Sequence, residues 1–389
     1  MASVRQWWRR AAAALKDRRS LLLARVRPRR AGSWHKRELE AAVIRATSHE
    51  DRGMDYRSAA RVFAWARTSP SFLRPVMWAL ARRARRTRCW VVALKALMIA
   101  HGLLLRSGLA PPAASAGRVP FELADFRDRS SSRVKSVAFS AFVRAYFRFL
   151  DYRSLFAAQE DIDGDDTGCS SDYQTAWLDR IAKQQFLLEL LLQIRPYGDG
   201  IEVALVLEAM DCALIEIFRV YGQICTGIAR FLVSGVPGPA KPWMRKAVAA
   251  AVVRMLWRAA EQSAQLASYF ELCRGLGVVN ARRVPAAFVR VTNEDVRALE
   301  RILMGDAQDE TKDDEQGEKS APVDVKGTGS ASTITAAVAT EWVAFDEEKP
   351  IAGAGACSAG SEGRVASHWN PFVVAPLDVR EGGNLIELL

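Results

Sequence analysis

Residues 90–106, WVVALKALMIAHGLLLR, decide the fold. The run is apolar on nearly every side at helical spacing, so it reads as the central buried helix of a helical domain. It does not read as a membrane span. Lys95 and His101 interrupt it, and it falls short of the roughly eighteen apolar residues that a bilayer demands. His101 is expected to be a satisfied core residue. Gly108 ends the helix, and a Pro/Ala/Ser/Gly-rich loop runs on to Val119.

Helical periodicity continues on both sides. Upstream, Tyr56–Arg67 places Ala60, Phe63 and Ala64 on one face, and Ser69-Pro70 punctuates before a helix over Phe72–Arg86. The arginines 82, 83, 85, 86 and 88 at the end of that helix read as a solvated basic cluster. Downstream, Val134–Leu150 carries Phe139, Phe142, Val143, Tyr146, Phe147 and Phe149, an aromatic core helix. Helical patterns follow over Trp177–Gln193, Ile201–Leu232 and Met244–Cys273, with a Gly/Pro loop at 234–239. Thr292 or Asn293, followed by acids, caps a last helix to Leu303. Before residue 300 there is no strand-like alternation of any length. The expected fold is all-α, a curved right-handed stack (solenoid) of antiparallel helices over 1–303. The acidic stretch Gln159–Asp172 contains DIDGDD, similar to a calcium loop but lacking the closing Glu, and reads as a solvated linker.

Charge is unevenly placed. The chain is +11 overall with a pI near 9.6. Residues 1–100 hold 24 Lys plus Arg against 6 Asp plus Glu, whereas residues 301–389 hold 7 against 16. A basic front calls for a polyanion, membrane or nucleic acid, and an acidic back calls for something else. Residues 4–25 form an amphipathic helix with Val4, Trp7, Trp8, Ala11 and Leu15 on one side and arginines around the rest. That side either packs on the second helix or lies at a membrane interface. The six cysteines form no CxxC pair, and the four histidines form no metal-binding cluster. Reduced buried thiols in the cytosol follow, with no metal, cofactor or catalytic residue expected. There is no Gly-rich phosphate loop and no nucleophile with a plausible base, so nothing invites an enzymatic reading.

The stretch 38–58, ELEAAVIRATSHEDRGMDYRS, carries the candidate site. Leu39, Val43 and Ala46 share one helical face, a turn follows, and Arg57 opens the next helix. Arg45, His49, Arg52 and Arg57 place four basic groups at this corner. Converging donors of this kind suit an anionic headgroup, although basic groups at a helix end are more often merely solvated.

Residues 304–389 change character. The stretch to Thr340 is acidic, then Gly/Ser/Thr/Ala-rich, a composition that predicts disorder. Three apolar islands sit in this tail: Trp342-Val343-Ala344-Phe345, Trp369-Asn370-Pro371-Phe372, and Leu385-Ile386-Glu387-Leu388-Leu389. Apolar islands on such a string read as docking peptides for folded partners.

Arg45 followed by Thr47-Ser48-His49, the run at 90–108, LLLQIRP at 190–196 and FELCRGLGV at 270–278 resemble, in order, the ANTH domain of plant-type clathrin-assembly adaptors over about residues 8–303. The resemblance implies a peripheral cytoplasmic protein of clathrin-mediated endocytosis. It would bind phosphatidylinositol 4,5-bisphosphate and clathrin heavy chain on coated pits, coated vesicles and Golgi membranes, with SNARE proteins as a class of cargo. Asn370-Pro371-Phe372 is similar to the NPF motif read by EH domains. Trp342, Val343 and Phe345 are similar to the WVxF peptide read by adaptor-complex appendage domains. Leu385, Ile386 and Leu388 resemble a clathrin box, departing from it where Leu389 replaces an acid. The lipid pattern is also incomplete, because Asp55 and Ser58 stand where a basic residue and a basic residue or His are usual, and Tyr56 precedes Arg57. The runner-up reading is a basic helical nucleic-acid-binding protein. The tail islands and the lack of a constant repeat period count against RNA and in favour of no nucleic-acid partner.

Overall fold

A computed structural model describes residues 4–26, 33–68, 70–105, 118–163, 170–198, 203–234, 242–283 and 291–305. The docking peptides at Trp342–Phe345, Trp369–Phe372 and Leu385–Leu389 lie outside the described residues, as do Cys169 and Cys357. The helices are α1 (Val4–Val26), α2 (Ser33–Ala46), α3 (Tyr56–Thr68), α4 (Leu73–Thr87), α5 (Trp90–Leu105), α6 (Arg133–Asp163), α7 (Ser170–Leu192), α8 (Ala204–Ser234), α9 (Pro242–Leu276) and α10 (Asn293–Gly305). No strand occurs among the described residues. Most helices pack on their neighbours in sequence, but α2 also packs on α4, α9 packs on α7 and α10, and α5 also touches α3 and α8. This is a helical stack, and α5 is its centre.

All of α5 except Leu105 is buried. Its first turn is held by a distant side chain: the Trp90 N–H donates to Asp128 Oδ1 at 3.1 Å, and Asp128 also accepts from the Ser130 and Ser131 amides. The Trp90 ring stacks on Phe139 of α6 with centroids 3.9 Å apart. His101 pairs through Nδ1 with the Tyr146 hydroxyl at 2.8 Å, and full burial lowers its pKa to about 4, so it is a neutral core group as its position implied. Deeper still, Glu216 of α8 is fully buried and accepts from Arg153 and Arg219. Thr292 and Asp295 form a reciprocal cap on α10, the Asp295 amide donating to Thr292 Oγ1 and Thr292 donating back to the Asp295 carboxylate. Val296 of α10 then closes a small second core with Val252, Leu256 and Ala260 of α9.

Two sequence expectations change. The linker expected over Gln159–Asp172 is helical at both ends, since α6 runs on to Asp163 and α7 starts at Ser170, while residues 164–169 lie outside the described residues. Ala157, Ala158, Gln159 and Glu160 are good helix formers, and nothing there breaks the pattern. The arginine cluster ending α4 is also not uniformly solvated. Arg82 donates to Glu40 at 2.5 Å, Arg85 pairs with Glu122 at 3.2 Å, and Arg83 is 8% exposed. Arg88 ends the helix in the left-handed region at φ 46°.

Candidate functional site

The corner between α2 and α3 is held by contacts within the chain. At its start Thr47 donates both its amide, at 2.9 Å, and its Oγ1, at 2.6 Å, to Val43 O in the last turn of α2. At its far end Asp55 caps α3, accepting from the Ser58 amide at 3.1 Å. Three long-range supports fix residues 47–55 from beneath and beside. Lys95, the one charge in the core helix α5, donates to Ser48 Oγ at 3.1 Å and to Glu50 O at 2.7 Å. Glu208 of α8 accepts from the Met54 amide at 2.9 Å. Asp17 of α1 accepts from the His49 amide at 2.9 Å and from His49 Nδ1 at 2.6 Å. Gly53 is required here: φ is 152°, and an added Cβ would stand 2.6 Å from Glu208 Oε1.

The supporting charges perturb one another. Burial pushes the Asp17 carboxyl upward, but the hydrogen bonds from His49 and the charges of His49 and Arg83 outweigh it and hold the group below its ordinary value. Burial lowers Lys95, against the pull of Glu50 and Glu208. Burial raises Glu208, against the Met54 amide and Lys95.

These contacts sort the four candidate residues into two kinds. His49 is committed to α1 and its side chain is 9% exposed. Arg45, in the last turn of α2, and Arg57, in the first turn of α3, are exposed and have no carboxylate partner among the described residues. Arg52 is exposed and faces Glu50 at 3.6 Å. Arg61, one turn along α3 from Arg57, is also exposed. Asp55 places its own carboxylate at the N-terminus of α3, where the helix dipole would otherwise favour a bound anion. Ser58 is 8% exposed, so it adds packing rather than a donor to the surface.

Asp17, Arg83, Lys95 and Glu208 were not among the candidates read from sequence. Two of them carried a signal. Asp17 is the lone acid before Glu38, and Lys95 sits inside an apolar run, where a charge must find partners.

The first helix turns its polar side to the domain. Its inward line is Ala13, Asp17, Ser20 and Ala24, and Arg83 donates to both Asp17 Oδ1 at 2.6 Å and Ser20 Oγ at 3.0 Å. Leu15, Leu22, Leu23 and Val26 point away and are 69%, 59%, 61% and 79% exposed. Lys16, Arg18 and Arg19 are exposed among them. The side bearing Leu15 therefore does not pack on α2. The partners waiting on the domain are the polar groups of Arg83 and His49, and they select the polar side of the helix. The side chains of Val4, Trp7 and Trp8 lie outside the description.

A stack of helices with a basic corner and an outer helix that turns leucines and basic residues outward belongs to the class of all-α helical-stack domains. The family model described as "ANTH domain" matches residues 38–304, and the chain belongs to that family. It is 42% identical over 298 residues to "Putative clathrin assembly protein At1g25240" of Arabidopsis thaliana, covering 77% of this chain and 76% of that one. It is 38% identical over 348 residues to "Putative clathrin assembly protein At1g68110" of the same plant, covering 88% of each. A third relative of the same description, At1g14686, is 35% identical over 300 residues, 76% of this chain and 81% of its own.

Proposed function

We propose that this chain is a clathrin adaptor that sits peripherally on phosphoinositide-containing membrane and recruits coat components through its tail. The observation that carries the membrane half is the pair of exposed arginines, Arg45 and Arg57, without a carboxylate partner among the described residues, at the two ends of a loop pinned by Lys95, Glu208 and Asp17. A pinned loop loses little conformational freedom when a headgroup binds, so its donors act together. Arg52 and Arg61 extend the positive field. The outward stripe of α1 supplies an amphipathic surface of the kind that lies in the headgroup region. The names of the Arabidopsis relatives support the clathrin half, and the tail islands supply its chemistry. Trp342, Val343 and Phe345 would dock appendage domains, Asn370-Pro371-Phe372 would dock EH domains, and Leu385, Ile386 and Leu388 would dock clathrin. Several weak peptides on one chain raise one another's effective concentration.

Asp55 tempers the headgroup preference, because its carboxylate competes with phosphate at the α3 N-terminus. The test is co-sedimentation of the full chain with vesicles containing phosphatidylinositol 4,5-bisphosphate or phosphatidylserine at matched charge and physiological salt. A preference of several-fold for the bisphosphate supports a headgroup site at the corner. Equal binding removes the site and leaves a charge-driven anchor, and binding to neither overturns the membrane reading.

A further inference from the structure

Away from the corner, on the outer side of α4, Trp78 is 59% exposed. It borders an open groove of about 470 Å³ between α4, the extended segment at 118–122 and α6. That volume lies within the range of ligand-binding clefts, about 300–1,000 Å³. Met77, Val119, Phe121 and Phe147 line it and are buried, so the cleft offers apolar surface beside one large exposed aromatic. The segment is held in place, since the Val119 amide donates to Ser154 Oγ at 3.1 Å and Arg118 grips Asp151 with two bonds of 2.6 Å.

The rim is basic. Arg74 stands one turn from Trp78, is exposed, and has no carboxylate partner among the described residues. Arg118 remains 65% exposed despite its bond to Asp151, and Arg85, paired with Glu122, is 66% exposed. An exposed tryptophan among arginines is the residue chemistry enriched at binding hot spots, and this one has no role in the corner.

We propose that the groove is the docking site for the chain's own segment 341–348, EWVAFDEE. Charge complementarity selects this island from the three. Glu341, Asp346, Glu347 and Glu348 surround its two aromatic residues, whereas 369–372 has no acid close by and 385–389 has no aromatic. Trp342 and Phe345 are three apart, so a polyproline-type backbone presents both to one surface while the acids that follow meet the arginines. Roughly 36 residues separate Gly305, the end of α10, from Trp342. Fully extended, that length spans at most about 120 Å, ample to return to α4. Docking here holds the peptide back from any outside partner until the groove releases it. The idea stands independently of the membrane reading, because neither Arg45 nor Arg57 takes part.

The test is fluorescence polarisation with a labelled peptide of residues 338–351, titrated with the full chain and with full-length variants. Trp342→Ala/Phe345→Ala, which frees the groove, should bind the peptide at least 5-fold more tightly than the wild-type chain, whose own tail competes. Adding Trp78→Ala and Arg74→Glu to that variant should weaken binding at least 10-fold. Both of these positions are exposed, and an unchanged melting temperature confirms folding. Equal affinity of the wild-type and tail-variant chains would overturn the proposal. So would undiminished binding after the groove substitutions, or no binding to any chain. Competition that grows with protein concentration, together with dimers in sedimentation, would assign the groove to a second copy's tail and overturn the self-docked form.

Discussion

Helices α1 and α5 are the two ends of a scale. α5 buries everything but its last residue and is held by apolar contact on all sides. α1 turns leucines 15, 22 and 23 outward and is held, among the described residues, chiefly by Asp17 set between Arg83 and His49, with Ser20 and Ala24 beside it. Hydrophobicity alone therefore does not say which helix is structural. What matters is what waits on the neighbouring surface. Around α5 it is aliphatic and aromatic side chains, and around α1 it is a guanidinium and an imidazole. One helix makes the fold, and the other keeps its apolar surface available.

Substitutions in the two helices should separate these roles. Leu97→Ala in α5, at a fully buried position, should cost about 3–4 kcal/mol in urea unfolding. Leu22→Ala on the outer face of α1 should stay within about 0.5 kcal/mol. A loss at Leu22 as large as that at Leu97 would mean that the outer face of α1 is packed after all.

Removing the latch tests the other half of the contrast. Asp17→Ala leaves Arg83 buried without its carboxylate and should cost about 3 kcal/mol, seen as faster amide exchange along α1 and at His49 while α5 stays protected. Uniformly raised exchange would contradict a local latch. Acid should mimic the variant. The Asp17 carboxyl is depressed in the folded chain, so its contribution is fully present above its unfolded value, near 3.8, and is lost as pH falls through the lower folded value. Exchange along α1 should therefore rise selectively below about pH 4 in wild type and change less in Asp17→Ala.

A smaller effect is expected at the corner. Asp55→Asn keeps a capping side chain on α3 but removes the carboxylate from its N-terminus. Affinity for bisphosphate vesicles should rise about 5-fold, the equivalent of about 1 kcal/mol per charge near an anionic surface. No change would place the headgroup away from the α3 N-terminus.

Much of the architecture was legible in the sequence because it is written in local periodicity. The run at 90–106, the aromatic spacing of α6 and the Thr292/Asp295 cap each lie within one helix. The latch was not legible, because Asp17 meets His49 and Arg83 across 32 and 66 residues and no periodic pattern records such a pairing. For the same reason Arg83 looked like one arginine among five. His49 was legible as a member of the corner but not as the residue that fastens α1. The orientation of α1 ran against its pattern, since periodicity finds an apolar side without saying whether that side faces inward.

The most direct test of the account is full-chain binding to phosphatidylinositol 4,5-bisphosphate vesicles by wild type and by Arg45→Glu/Arg57→Glu, with melting temperatures as the control for folding. Both positions are exposed and have no carboxylate partner among the described residues, so the variant should melt like wild type and lose at least 10-fold in affinity, with its preference over phosphatidylserine abolished. A variant that keeps both affinity and preference would contradict the claim that the corner between α2 and α3 is the membrane site.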